Sequence, residues 1–150
     1  MKIKALIGAG DQIMGVTMPV ALIGIVLNTL YPEFFRTNLG QIGTVLGFVL
    51  LAIGVPMWLT SAVQVLVHVP HRRLITTGPF AITLHPLYTS VALLVVPGVG
   101  FVLETWVGLG IGIVLYAASR LLSVKEEKKL EETFPVEYQA YRAKVLLPWL

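Results

Sequence analysis

The chain has 150 residues, room for one domain. Hydrophobic residues make up 56% of it and charged residues 13%, against roughly 25% charged in an ordinary soluble domain, and the mean hydropathy is +0.83. This composition points to an integral membrane protein. The absence of cysteine excludes disulfides, zinc–thiolate sites and a thiol nucleophile. The net charge of +3 is small and reads as membrane topology, with no nucleic-acid partner implied.

Met1-Lys2-Ile3-Lys4 is a short basic start, followed by a brief apolar run that Asp11 interrupts. No small-residue cleavage site closes a signal-peptide core here, so a retained first helix is expected, from about Ile13 to Leu30. That stretch is uncharged and close to the minimum that spans a bilayer. Pro19 and Gly24 within it are better tolerated in a membrane than in water. A polar loop with aromatic edges follows, Tyr31 to Asn38, as expected at an interface. The next apolar run, Gln41 to Val69, is too long for one untilted span and is expected to tilt, to kink at Pro56 or to extend past the membrane. Gly43, Gly47 and Gly54 could permit close helix contact, although ordinary membrane-helix glycine is the simpler reading.

His68-Val69-Pro70-His71-Arg72-Arg73 ends that run. The two histidines have i,i+3 spacing, but Pro70 disturbs the helix between them and no carboxylate is near in sequence, so a metal pair is a poor fit. Arg72 and Arg73 read better as a cytoplasmic end. A third helix is expected from Pro86, where proline suits a first turn, to a turn at Pro97-Gly98-Val99-Gly100. A fourth is expected from about Thr105 to Leu122. The tail then becomes charged, with Leu130, Phe134, Tyr138, Tyr141 and Val145 at helical spacing. An amphipathic helix broken near Pro135, lying along the membrane or over the helix ends, is predicted.

The predicted fold is therefore all-α: about four transmembrane helices and a C-terminal amphipathic cytoplasmic segment, in a single domain. In a four-helix topology Lys2, Lys4, Arg72, Arg73 and the six basic residues from Arg120 onward share one side, and only Arg36 is opposite. The positive-inside rule puts both termini and the central loop in the cytoplasm. Two polar blocks then meet on that face. Thr77 to Tyr88 is turn-rich and contains His85 at the start of a helix. A histidine there can attract an anion together with the free N–H groups of the helix end, or simply cap the helix at the interface. Glu126-Glu127 can hold an ammonium or a ribose hydroxyl pair, or be part of a solvated helix face.

Taken jointly, Gly78-Pro79-Phe80, His85-Pro86-x-Tyr88, an apolar hairpin, Glu126-Glu127-x2-Leu130-x3-Phe134, Glu137-Tyr138-x2-Tyr141 and a final Pro148 resemble the isoprenylcysteine carboxyl methyltransferase family, within a wider group that includes phospholipid N-methyltransferases. The resemblance covers about residues 64–148. It implies an enzyme that uses S-adenosylmethionine and a lipophilic or lipid-linked acceptor reaching the site from the bilayer. By position it implies a cofactor site from Gln64, Arg72, Arg73, Leu74, Ile75, Gly78, Phe80, His85, Pro86, Leu87, Tyr88, Glu126 and Glu127. Arg120 is the nearest match to a substrate-anchoring arginine, which the family pattern puts at the position of Leu122. Leu84 stands where the pattern has arginine, Phe80 where it has tyrosine, and Phe134-Pro135 where it has Phe-Gly. The acceptor, carboxylate, thiol or amine, stays open, and no catalytic base is assigned. A carboxylate or thiolate needs none, whereas an amine must first be neutral. Two other readings remain: a non-catalytic scaffold or small-molecule binder with this fold, and a nicotinamide-dependent membrane reductase. The chain lacks a clear basic set for a 2′-phosphate.

Overall fold

The computed structural model describes residues 8–71 and 73–150, so Lys2, Lys4 and Arg72 lie outside the described residues. Its elements in chain order are α1 (Gly8–Leu30), the short α2 (Pro32–Phe35), α3 (Gly40–His68), α4 (Pro86–Ser90), a π-helical segment (Val91–Val95), α5 (Val96–Val102), α6 (Val107–Leu122), α7 (Val124–Thr133) and α8 (Pro135–Lys144). The described residues hold no β-strand, only two isolated bridges. α1 starts earlier than expected and takes in Asp11, a carboxylate in a first turn, where the exposed N–H groups favour it.

Three helical stretches are long and apolar enough to cross a membrane: Gly10–Leu30, Gly40–His71 and Val107–Thr133. Their outward faces are apolar, with Ile23, Ile42 and Leu121 at 60%, 76% and 77% exposure. In water such a surface would drive association; in a bilayer it is the solvated side. The protein is thus an all-α membrane protein. The shorter apolar stretch Pro86–Val102 packs between α3 and α6, and α6 in turn carries α1. At one end the chain is tied together: Thr37 N donates to Glu104 O (3.0 Å), Trp106 N to Phe35 O (2.9 Å), and Thr105 Oγ1 to Asn28 Oδ1 (2.7 Å). α5 therefore ends where α1 ends and α3 begins. The loop that precedes α4 and the tail after α6 lie at the opposite end.

The expected turn at Pro97–Gly100 is corrected: the helix continues to Val102, and the reversal falls at residues 103–106, with Glu104 at φ +53°. The physical reason is local. Proline has no N–H to donate to the carbonyl four residues earlier, and the π-segment just before Pro97 accommodates that defect without ending the helix. Gly98 and Gly100 serve packing instead. A Cβ on Gly100 would lie 2.8 Å from Gly108 Cα, and one on Gly47 would lie 2.7 Å from Gly98 O. Without a hydrophobic drive between helices in lipid, such close backbone approach is the main source of helix association. Of the three α3 glycines, Gly47 and Gly54 face α5 and the π-segment, whereas Gly43 meets only Leu39 of its own chain segment.

α3 continues as helix through Pro56. At about 1.5 Å per residue it outruns a hydrocarbon core of about 30 Å. Its last turns thus carry Gln64, Val65 and His68 to the end where the two polar blocks lie.

Candidate functional site

The loop before α4 is built around Gly78, whose φ of +63° favours glycine, and a Cβ there would lie 3.0 Å from Gln64 Nε2. Gln64 Nε2 donates to Thr77 O (3.2 Å) and Thr77 Oγ1 (3.3 Å). Pro79 is buried, and the turn of residues 78–81 delivers Phe80, Leu84 and His85 to the start of α4. Pro86 fills the first helical position, where a missing N–H costs nothing.

The tail closes over this loop. Tyr138, Tyr141 and Val145 are buried against Leu84, with Leu74, Phe80, Leu130 and Phe134 packed around them. Tyr141 Oη donates to Phe80 O (2.7 Å), and the amides of Leu146 and Leu147 donate to Ala81 O (3.1 Å) and Ile82 O (2.8 Å). Tyr116 Oη donates to Trp149 O at 3.1 Å. Burial, with the Glu127 charge nearby, pushes the Tyr138 hydroxyl up to about 12, and burial raises that of Tyr141 as well.

Between the loop, α4, the end of α3 and the tail is a cavity of about 250 Å³. Its wall is mostly apolar, from Val65, Leu74, Ile75, Phe80, Leu84, Leu87 and Phe134 among others, and its polar side chains include Arg73, His85, Tyr88, Glu126, Lys129 and Tyr138. The Glu126 carboxylate lies near the Tyr88 hydroxyl. His85 Nε2 donates to Glu127 Oε1 at 2.8 Å, with the two side chains only 9% and 16% exposed. Glu127 Oε2 also faces Arg142 Nη1 at 3.6 Å. His85 makes no side-chain cap bond to its own helix. Its ring turns to the carboxylate on α7, which separates it from an ordinary interfacial cap. Such an enclosure, apolar with a few convergent charged groups, suits a ligand with a flat apolar part and a polar, charged part.

The structure brings Arg73, Leu74, Ile75, Phe80, His85, Pro86, Leu87, Tyr88 and Glu126 to the wall. Gln64 and Gly78 are not on it: they brace the loop. Glu127 stands behind His85, outside the wall. Arg120 is also off the wall; its Nη1 is buried without a hydrogen-bond partner among the described residues, and its charge acts on Glu127. His68 Nδ1 lies 2.9 Å from Gln64 O, and no group of three or more potential metal ligands occurs among the described residues.

The wall also holds residues that the sequence did not assign to the site, Leu84, Lys129 and Tyr138 among them. Tyr138 was legible as one of a helical series, but the series does not say what it faces. Leu84, 6% exposed, is where the tail docks, which gives its apolar side chain a structural role. Lys129 carried no signal within a run of charges. No protein-family model, curated protein or solved structure matches this chain.

Proposed function

We propose that this chain is a membrane methyltransferase that uses S-adenosylmethionine and acts on a lipophilic or lipid-linked acceptor. The observation that supports it is the convergence of the two polar blocks on one cavity: the His85–Glu127 bond of 2.8 Å joins them, and Glu126 is in the wall. The donor set suits the cofactor part by part. The Glu126 carboxylate suits an ammonium or a pair of ribose hydroxyls, Leu74, Ile75 and Phe80 suit a purine, and Arg73 suits a carboxylate. When bound, the cofactor supplies a methyl group made electrophilic by its sulfonium charge. The protein's tasks are to hold the acceptor in line with that methyl and to keep water out. The tail over the cavity serves the second task. The site lies at the end of the helices where Arg73, Arg120, Lys125, Lys128, Lys129, Arg142 and Lys144 collect, which by the positive-inside rule is the cytoplasmic face, with four membrane crossings and both termini there.

The test is transfer. Purified protein in detergent, given S-adenosylmethionine labelled in its methyl group and a membrane lipid extract, should move label into the organic phase. Binding of the cofactor without any transfer, across lipid and lipophilic acid, thiol and amine acceptors, would leave a binder and not an enzyme.

A further inference from the structure

His85 is one nitrogen short of fully used. Its Nε2 donates to Glu127 Oε1 at 2.8 Å. Its Nδ1 has no hydrogen-bond partner among the described residues, and the ring is part of the cavity wall. Glu127 is off that wall, behind the ring, and is held in turn by Arg142 at 3.6 Å. A ring nitrogen that donates to a carboxylate fixes the tautomer: the proton stays on Nε2, and Nδ1 keeps its lone pair. A histidine whose ring lines a cavity, with one nitrogen donating to a carboxylate outside the wall and the other not used by the described residues, has the arrangement of a general base. A helix staple alone needs neither the cavity nor the open nitrogen.

We infer that His85 is a general base for the acceptor, with Glu127 as its positioning residue, and that the acceptor class is a nucleophile still protonated at neutral pH, an aliphatic thiol in the first instance, and not a carboxylic acid. This rests on the methyltransferase reading above. The step balances as follows. The acceptor's S–H bond breaks and its proton passes to His85 Nδ1. The electron pair left on the acceptor forms the new S–CH3 bond. The bond between that methyl and the donor sulfonium breaks, and its pair stays on the donor sulfur, which becomes a neutral thioether. The imidazolium is balanced by Glu127 and returns its proton to water. A carboxylate acceptor is already ionised at neutral pH and has no use for a base. The other charges facing this centre are Glu126, Arg73 and Lys129 in the wall, with Arg142 and Arg120 acting on Glu127.

Two measurements test it. The first needs no cofactor: nitrogen NMR of protein labelled with 15N-histidine, at pH 9, where an ordinary imidazole is neutral. His85, identified by its loss in His85→Gln, should have its proton on Nε2, and Glu127→Leu should release it to a mixture of tautomers. A proton on Nδ1 in the wild type overturns the inference. The second is methyl transfer to octanethiol, protonated at neutral pH, and to 4-octylthiophenol, an aryl thiol ionised there. Glu127→Gln keeps the shape of the pair and removes its charge. It should slow octanethiol at least tenfold and the aryl thiol less than threefold. Equal losses on the two thiols make the pair a structural staple, and transfer to dodecanoate but to neither thiol overturns the acceptor class. If the wild type does not bind S-adenosylmethionine at all, the methyltransferase reading itself falls, an outcome distinct from every result above.

Discussion

Two glycines of α6, Gly110 and Gly112, should respond in opposite ways to the same substitution. At Gly112 a new Cβ would press on the Ala92 carbonyl oxygen and lie 3.0 Å from Pro97 Cγ. Both belong to the continuous helix from α4 to α5, and neither is a flexible side-chain end, so the helices must separate. Overpacking of this kind costs about 1–3 kcal/mol. Alanine regains up to about 1 kcal/mol in helix propensity over glycine. With the full propensity gain, Gly112→Ala should therefore still lose up to about 2 kcal/mol net. At Gly110 a Cβ meets nothing within 4 Å, so only the propensity gain remains. At roughly 2–4 °C per kcal/mol for a chain of this size, Gly112→Ala should lower the apparent unfolding midpoint in detergent by several degrees. Gly110→Ala should leave it unchanged or slightly raised. The assay is fluorescence-detected size exclusion after a heating series. Equal midpoints for the two variants would refute the close α6 packing described above.

The tail gives two further tests. Tyr141→Phe removes the hydrogen bond to Phe80 O at the cost of about 1 kcal/mol, so hydrogen exchange at the Leu146 and Leu147 amides should quicken by roughly fivefold; unchanged exchange would mean that the hydroxyl does not hold the tail. The alkaline limit follows from Tyr138. Its folded value of about 12 is above the ordinary 10, so its contribution to docking is complete below pH 10 and is lost as pH rises through 12. Absorbance at 295 nm should show tyrosine ionising late, together with release of the tail to protease; tail release complete below pH 10 would contradict this.

Much of the fold was legible because composition fixes the solvent. A chain with few charges and long apolar runs has to be helical across lipid, since no other open structure satisfies its backbone there. The tail was legible for the same kind of reason: Leu130, Phe134, Tyr138 and Tyr141 repeat at a helical period, and all pack against the loop before α4. Pro97 was not. A proline beside two glycines reads as a turn, and only the π-segment before it and the tight contacts of Gly98 and Gly100 explain why the helix goes on. Within the site, spacing put Glu126 and Glu127 together but could not divide their roles. Neighbouring residues on a helix point about 100° apart, so one faces the cavity and the other backs His85. Gln64 and Gly78 matched a pattern by position, yet their partners are each other and the loop backbone.

Calorimetric titration of S-adenosylmethionine into the detergent-purified protein bears most directly on the proposed function. The expected result is saturable one-site binding, weakened at least tenfold by Glu126→Ala and by His85→Ala and unchanged by Gly110→Ala. No heat at millimolar ligand, from protein whose tail is still protected from protease, would contradict it.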